Sequence, residues 1–183
     1  MKKSTLGALI VGAIIGLGIS YIIAIVVDVT GTPKFCASCH SMKPMVESFH
    51  ESVHGGNNKS GFSVHHCTDC HLPKESLIGY LIAKGISGTK DALAEFGIIN
   101  KVDFKKNFWN MKHYVYDSSC LECHKMVKEP SRAFGMSKES RFAHEFYWRE
   151  KKANKDISCV TCHNDYTTPN FAHPNLLDRL NSK

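Results

Sequence analysis

Cys36-Ala37-Ser38-Cys39-His40, Cys67-Thr68-Asp69-Cys70-His71, Cys120-Leu121-Glu122-Cys123-His124 and Cys159-Val160-Thr161-Cys162-His163 decide the fold between them. They use all 8 cysteines of the 183-residue chain. Each is a CxxC pair followed at once by histidine, the attachment signal of c-type haem. Two thiols three positions apart can each form a thioether to one haem vinyl group, and the adjacent histidine then lies under the iron as proximal ligand. Zinc-type CxxC pairs do not require histidine directly after them, and a disulfide framework would leave other spacings. Four covalently bound haem c groups are therefore expected, attached through Cys36 and Cys39, Cys67 and Cys70, Cys120 and Cys123, and Cys159 and Cys162.

Working outward, residues 28–183 offer too little protein to wrap each haem in its own hydrophobic core, and small domains need staples. The haems themselves would form the core. The expected fold is mainly α with extensive loops and almost no sheet. Residues 41–53 read as a short helix that stops before Gly55-Gly56-Asn57-Asn58. Residues 74–96 read as a longer helix with apolar Leu77, Ile78, Leu81 and Ile82, which Gly85 and Gly88 could interrupt. Residues 137–152 read as another.

Upstream, Leu6 to Val27 carries no charge. At ~1.5 Å of rise per residue it spans about 33 Å, enough for a bilayer core. Lys2 and Lys3 precede it and Asp28 follows it, so residues 28–183 should lie outside the cytoplasm. A cleaved signal peptide would have a shorter apolar region and a small-residue cleavage site; Ile25-Val26-Val27-Asp28 is a poor one. The expected organisation is a cytoplasmic segment at 1–5, a membrane anchor at 6–27 and a tetrahaem domain at 28–183, single-pass in a bacterial inner membrane with the haems on the periplasmic side. Gly12 and Gly16 are spaced to pack a second helix and so permit a homo-oligomer, although glycine is simply common in membrane helices. The formal net charge of +6 is scattered, with no basic block or stripe, which argues against nucleic acid as a partner.

The chain also repeats. Cys36-x-x-Cys39-His40-x-Met42, a lone His54 and Cys67-x-x-Cys70-His71 are matched by Cys120-x-x-Cys123-His124-x-Met126, a lone His144 and Cys159-x-x-Cys162-His163. Two duplicated dihaem units, at about 34–73 and 117–175, account for the pattern. Electron-transfer haems need a second axial ligand, usually histidine or methionine. The repeat singles out His54 and His144, and His173 follows the fourth motif; His113 is a weaker candidate. Which of them serves which iron cannot be read from the sequence.

These features resemble the NapC/NirT/NrfH family of membrane-anchored tetrahaem quinol dehydrogenases. Cys36-Ala37-Ser38-Cys39-His40-Ser41-Met42 is similar to the CxxCHxM signature of the NrfH branch, Cys67-Thr68-Asp69-Cys70-His71-Leu72-Pro73 to the family's CxxCHLP, Ser52-Val53-His54 to its S-x-H segment, and Ala172-His173-Pro174 to its terminal histidine. The resemblance implies that menaquinol or ubiquinol is oxidised beside the first haem. Electrons then run along the haems to a periplasmic multihaem reductase, a nitrite reductase above all, in anaerobic respiration. It implies Met42 in place of His40 as axial ligand of the first haem, with His71, His124 and His163 as the other proximal ligands and His54, His144 and His173 opposite them. It implies Lys84 and Asp91 as the quinol-site pair, with Lys90 a neighbouring rival. A carboxylate can accept a quinol proton and a lysine can hold the quinol oxygen. Met126 also fits CxxCHxM, so that motif alone does not mark a special haem. The aromatic run Asn107 to Tyr116 has no role in the resemblance and could cover a haem edge or bind the partner. The competing reading is an anchored relay that takes electrons only from other proteins; hydroxylamine-oxidoreductase-like and nitrate reductase systems are alternative acceptors.

Overall fold

The structure, a computed structural model, describes residues 3–168 and 170–182. Met1 and Lys2, from the expected cytoplasmic segment, lie outside the described residues. Helix α1 (Lys3–Val29, 27 residues) is the membrane-length element. Its stretch Ser4–Val29 is long and apolar enough to cross a bilayer, and none of it is buried against the rest of the chain. A Cβ added at Gly12 or Gly16 would meet nothing within 4 Å.

Short helices follow, joined by turns: α2 (Pro33–Cys36), α3 (Lys43–His50), α4 (Thr68–His71), α5 (Leu77–Glu95), α6 (Phe104–Trp109), α7 (Asp117–Cys123), α8 (Lys138–Lys152), α9 (Cys159–Cys162) and α10 (Leu176–Asn181). No strand occurs among the described residues. Each longer helix has a local cause. Ser137 caps α8 by accepting from the Ser140 N–H, and Arg149, Lys151 and Lys152 sit favourably in its last turn. Ser76 caps α5 by accepting from the Gly79 N–H, so this helix starts three residues later than its apolar pattern suggests, beyond Pro73. Gly85 and Gly88 do not interrupt it. The helix expected over 41–53 divides into a 3-10 turn at His40–Met42 and α3, and ends at His50.

Buried apolar side chains are few, and the clearest cluster joins the two ends of the haem domain. Met45, Val46 and Phe49 of α3 pack with Leu176 of α10. Buried Ser48 donates its hydroxyl to the Pro174 carbonyl at 2.5 Å, and the Val53 N–H donates to the Asn170 carbonyl at 2.8 Å. Arg179 adds ion pairs to Glu47 and Glu51. Burying such side chains gives about 1.5–3 kcal/mol each, against ~0–1 kcal/mol for a surface ion pair, so the apolar contact governs this closure.

Candidate functional site

Histidines approach one another in pairs, and each pair joins one motif to one distal residue. His71 faces His173 with ring centroids 6.3 Å apart, His124 faces His54 at 6.3 Å, and His163 faces His144 at 6.0 Å. Two imidazoles sharing one metal at ~2 Å from each nitrogen place their ring centres roughly 6 Å apart. The tautomers agree with this spacing. Nδ1 of His54 donates to the Phe171 carbonyl (2.7 Å), of His71 to Tyr114 (2.8 Å), of His144 to Ser140 (2.8 Å) and of His173 to Met45 (3.2 Å). Each bond leaves the Nε2 lone pair free to ligate and fixes the ring's orientation, the usual support for a metal-bound histidine.

Burial lowers the pKa of His173 to about 4, with His71 acting in the same sense, and burial lowers His71 as well. Burial and then the neighbouring histidines lower His124 and His163. Neutral imidazole, the ligating form, is what these environments favour. Among the described residues no three His, Cys, Asp or Glu side chains converge as a zinc site would require. None of the eight cysteines is in a disulfide. Thiol pairs with an adjacent histidine, and an opposed imidazole of fixed tautomer, fit haem c.

The first motif is built differently. His40 is exposed, takes part in none of these ring pairs, and opens a 3-10 turn that ends at the half-buried Met42. It stands at the foot of α1: α2 begins four residues after α1 ends, and the Cys67 N–H donates to the Gly31 carbonyl at 2.9 Å, so the second motif meets the same place. The α5 residues Lys84, Asp91 and Glu95 share one stripe at helical spacings of seven and four. The Cys36 thiol is lowered to about 7, chiefly by its hydrogen bond with Cys67; Lys84 also lowers it and Asp91 raises it. Desolvation raises the Asp91 carboxyl and His71 partly offsets it. Ile78, Ile82 and Ile86, on the other side of α5, are 72%, 57% and 52% exposed.

Glu95 was not visible as a site residue in the sequence. Its Oε1 accepts the His40 N–H at 2.9 Å and its Oε2 the Ser41 hydroxyl at 2.5 Å. The one available signal was its spacing from Asp91. The aromatic run also gains a place. The Tyr114 carbonyl supports His71, the Tyr116 N–H donates to the Cys70 carbonyl (3.2 Å), the 3-10 turn Met111–His113 packs on α9, and Trp109 stacks on Tyr166 at 5.0 Å. His113 lies in that turn, outside the ring pairs. His66 instead meets Asp28 at the end of α1, Nε2 to Oδ1 3.1 Å.

Repetition between the halves holds for the thiols and not for the ligands. The Cys36 thiol is lowered chiefly by Cys67, and the Cys120 thiol chiefly by Cys159, in the same first-to-first relation. His144 stays within its own half, whereas His54 crosses to His124 and His173 crosses back to His71. The α3–α10 closure brings residues 170–174 against residues 45–54, where Met45 supports the His173 ring and Phe171 the His54 ring.

One membrane-length helix followed by a helical domain of CxxCH motifs and paired histidines defines an anchored multihaem c-type cytochrome. Residues 1–173 match the NapC/NirT cytochrome c family, N-terminal region, and the chain belongs to that family. It is 29% identical over 181 residues to the tetraheme c-type cytochrome CymA of Shewanella oneidensis, covering 92% of each chain. It is 28% identical over 163 residues to the cytochrome c-type protein TorC of Escherichia coli K12, with 89% of this chain matched; the chain spans only 33% of that longer relative. Among solved structures, the crystal structure of the cytochrome c nitrite reductase NrfHA complex bound to the HQNO inhibitor has a chain of the same fold. The TM-score is 0.52 at 23% identity, covering 87% of this chain and 88% of that one.

Proposed function

We propose that this protein oxidises membrane quinol, menaquinol or ubiquinol, at the first motif and delivers the electrons to a periplasmic reductase. The observation that carries the reading is the contact of Glu95, on the α5 stripe that also bears Lys84 and Asp91, with His40 and Ser41 of the first motif. Four haem c groups, when bound, would supply a series of one-electron carriers. His71 with His173, His124 with His54 and His163 with His144 would hold three of them, and Met42, in place of His40, would serve the first. Lys84 orients the quinol oxygen. Asp91, raised by desolvation, accepts its proton, for which a carboxylate of elevated pKa is suited. The exposed isoleucines of α5 seat this helix in the outer surface of the bilayer, so that quinol enters sideways from the lipid. The haem domain lies on the periplasmic side of a bacterial inner membrane. The acceptor is a multihaem reductase, most simply one of nitrite, as the name of the NrfHA neighbour suggests; hydroxylamine-oxidoreductase-like and nitrate systems are the alternatives. A homo-oligomer through Gly12 and Gly16 within a larger complex is compatible with their bare helix face.

The test is reduction of the purified holoprotein in detergent by a menaquinol analogue. Rapid reduction is expected. Asp91→Asn is expected to slow it by about 10²-fold, within the usual range for a lost proton acceptor, with four haems still attached by mass. Reduction by protein donors alone would leave the anchored relay as the function.

A further inference from the structure

We infer that Glu95 is a positioning residue for the first haem, holding the His40–Met42 turn so that Met42, rather than His40, is presented to the iron. The inference rests on the Met42 reading above. In the other three motifs an opposed imidazole fixes the ligand set: His173 against His71, His54 against His124, His144 against His163. His40 is in no such pair. What holds this segment is a carboxylate from the last turn of α5. Oε1 accepts the His40 backbone N–H at 2.9 Å, and Oε2 accepts the hydroxyl of Ser41. Hydrogen bonds to an ionised carboxylate are shorter and roughly twice as strong as neutral ones. They hold Glu95 itself below the usual carboxylate range, the Ser41 hydroxyl contributing most.

The two bonds fasten consecutive residues, so they fix both the position and the rotation of the turn. With the His40 backbone N–H and the Ser41 side chain both held, the His40 ring is left exposed while Met42, at the end of the 3-10 turn, is half-buried. The same carboxylate belongs to the stripe that carries Lys84 and Asp91. Glu95 therefore ties the quinol-site helix to the motif that its substrate would reduce. Glutamine at this position keeps one acceptor oxygen but turns an NH2 toward a second donor; alanine removes both acceptors; aspartate keeps both on a shorter stem.

The experiment uses the full-length holoprotein in detergent. The ferric sulfur-to-iron charge-transfer band in the near infrared and the four haem midpoint potentials are measured for wild type, Met42→Ala, Glu95→Gln, Glu95→Ala and Glu95→Asp. Mass spectrometry confirms four attached haems in each. Met42→Ala removes the band and identifies which potential belongs to the first haem. Glu95→Ala is expected to lose the band and shift that potential alone, Glu95→Gln to weaken the band, and Glu95→Asp to restore most of it. An unchanged band and potential in Glu95→Ala overturns the inference while leaving the Met42 reading intact. If wild type shows no band, it is the Met42 reading that fails. The inference, which rests on that reading, then falls with it.

Discussion

The first motif and the fourth both have a backbone N–H held by a distant carboxylate, yet the two carboxylates do different work. Glu95 holds the N–H of His40. Asp117 Oδ1 holds the N–H of Cys159 at 2.8 Å, while its Oδ2 accepts from the Tyr147 hydroxyl at 2.6 Å and pairs with Lys151 at 2.9 Å. At the fourth motif the histidine is already opposed by His144, so the carboxylate is a strut within the protein. Among the described residues His40 faces no other imidazole, which leaves the carboxylate as the proposed determinant of the ligand geometry. One interaction type stabilises in one place and specifies in the other, according to what else constrains the motif.

This contrast can be broken most sharply at the fourth motif's own ligand. His144→Ala leaves His163 without its facing ring. The expected outcome is one haem moving to the high-spin state in the ferric electron paramagnetic resonance spectrum, with the other signals retained. An unaltered low-spin spectrum would undo the pairing.

Next in size is Gly55→Ala. A Cβ there would lie 1.9 Å from the Phe49 carbonyl oxygen, so the turn after α3 must shift, at a cost of about 1–3 kcal/mol. Because His54 is adjacent, thermal unfolding should come earlier and the signal of the His124–His54 haem should broaden while the first haem's spectrum holds. A normal melting temperature would show that the turn relaxes freely.

Asp117→Asn should cost about 1–3 kcal/mol, the range for leaving hydrogen-bonded groups unsatisfied, with no change in any haem potential. Burial pushes Asp117 up, but hydrogen bonds from Tyr147, the Cys159 N–H and Lys151 outweigh it and hold the carboxyl below its ordinary range. Its stabilisation is therefore complete above the unfolded value of about 3.9 and is lost as pH falls through the lower folded value. Urea unfolding at neutral and acid pH should show the gap between wild type and Asp117→Asn closing in acid; a constant gap would count against the ionised contact.

The smallest effect is expected from Trp109→Ala. Trp109 and Tyr166 are 62% and 57% exposed, so losing their stack should cost only ~0.5–1.5 kcal/mol in unfolding. The spectra should not change.

Much of the architecture was legible because it is written in local signals. The uncharged run pointed to α1 and residues 137–152 to α8. His54, His144 and His173 were singled out by the repeat and by their position. Their partners were not, because the crossing between the halves joins residues far apart in the sequence. The support of His71 was equally hidden: it is the carbonyl of Tyr114, and a backbone carbonyl has no residue signature. Helix α6 was missed because it is only six residues long and its start depends on one cap, the Asp103 carboxylate accepting the Lys106 N–H at 2.9 Å.

The closure of residues 170–174 onto α3 also sets an order of assembly. The ring opposite His71 and the carbonyl that orients His54 both come from this closing segment. On a chain exported in sequence order behind its N-terminal anchor, the second and third motifs would emerge before both of these contributions. Until the tail arrives His71 would lack its facing imidazole, and the His54 ring opposite His124 would lack the carbonyl that orients it.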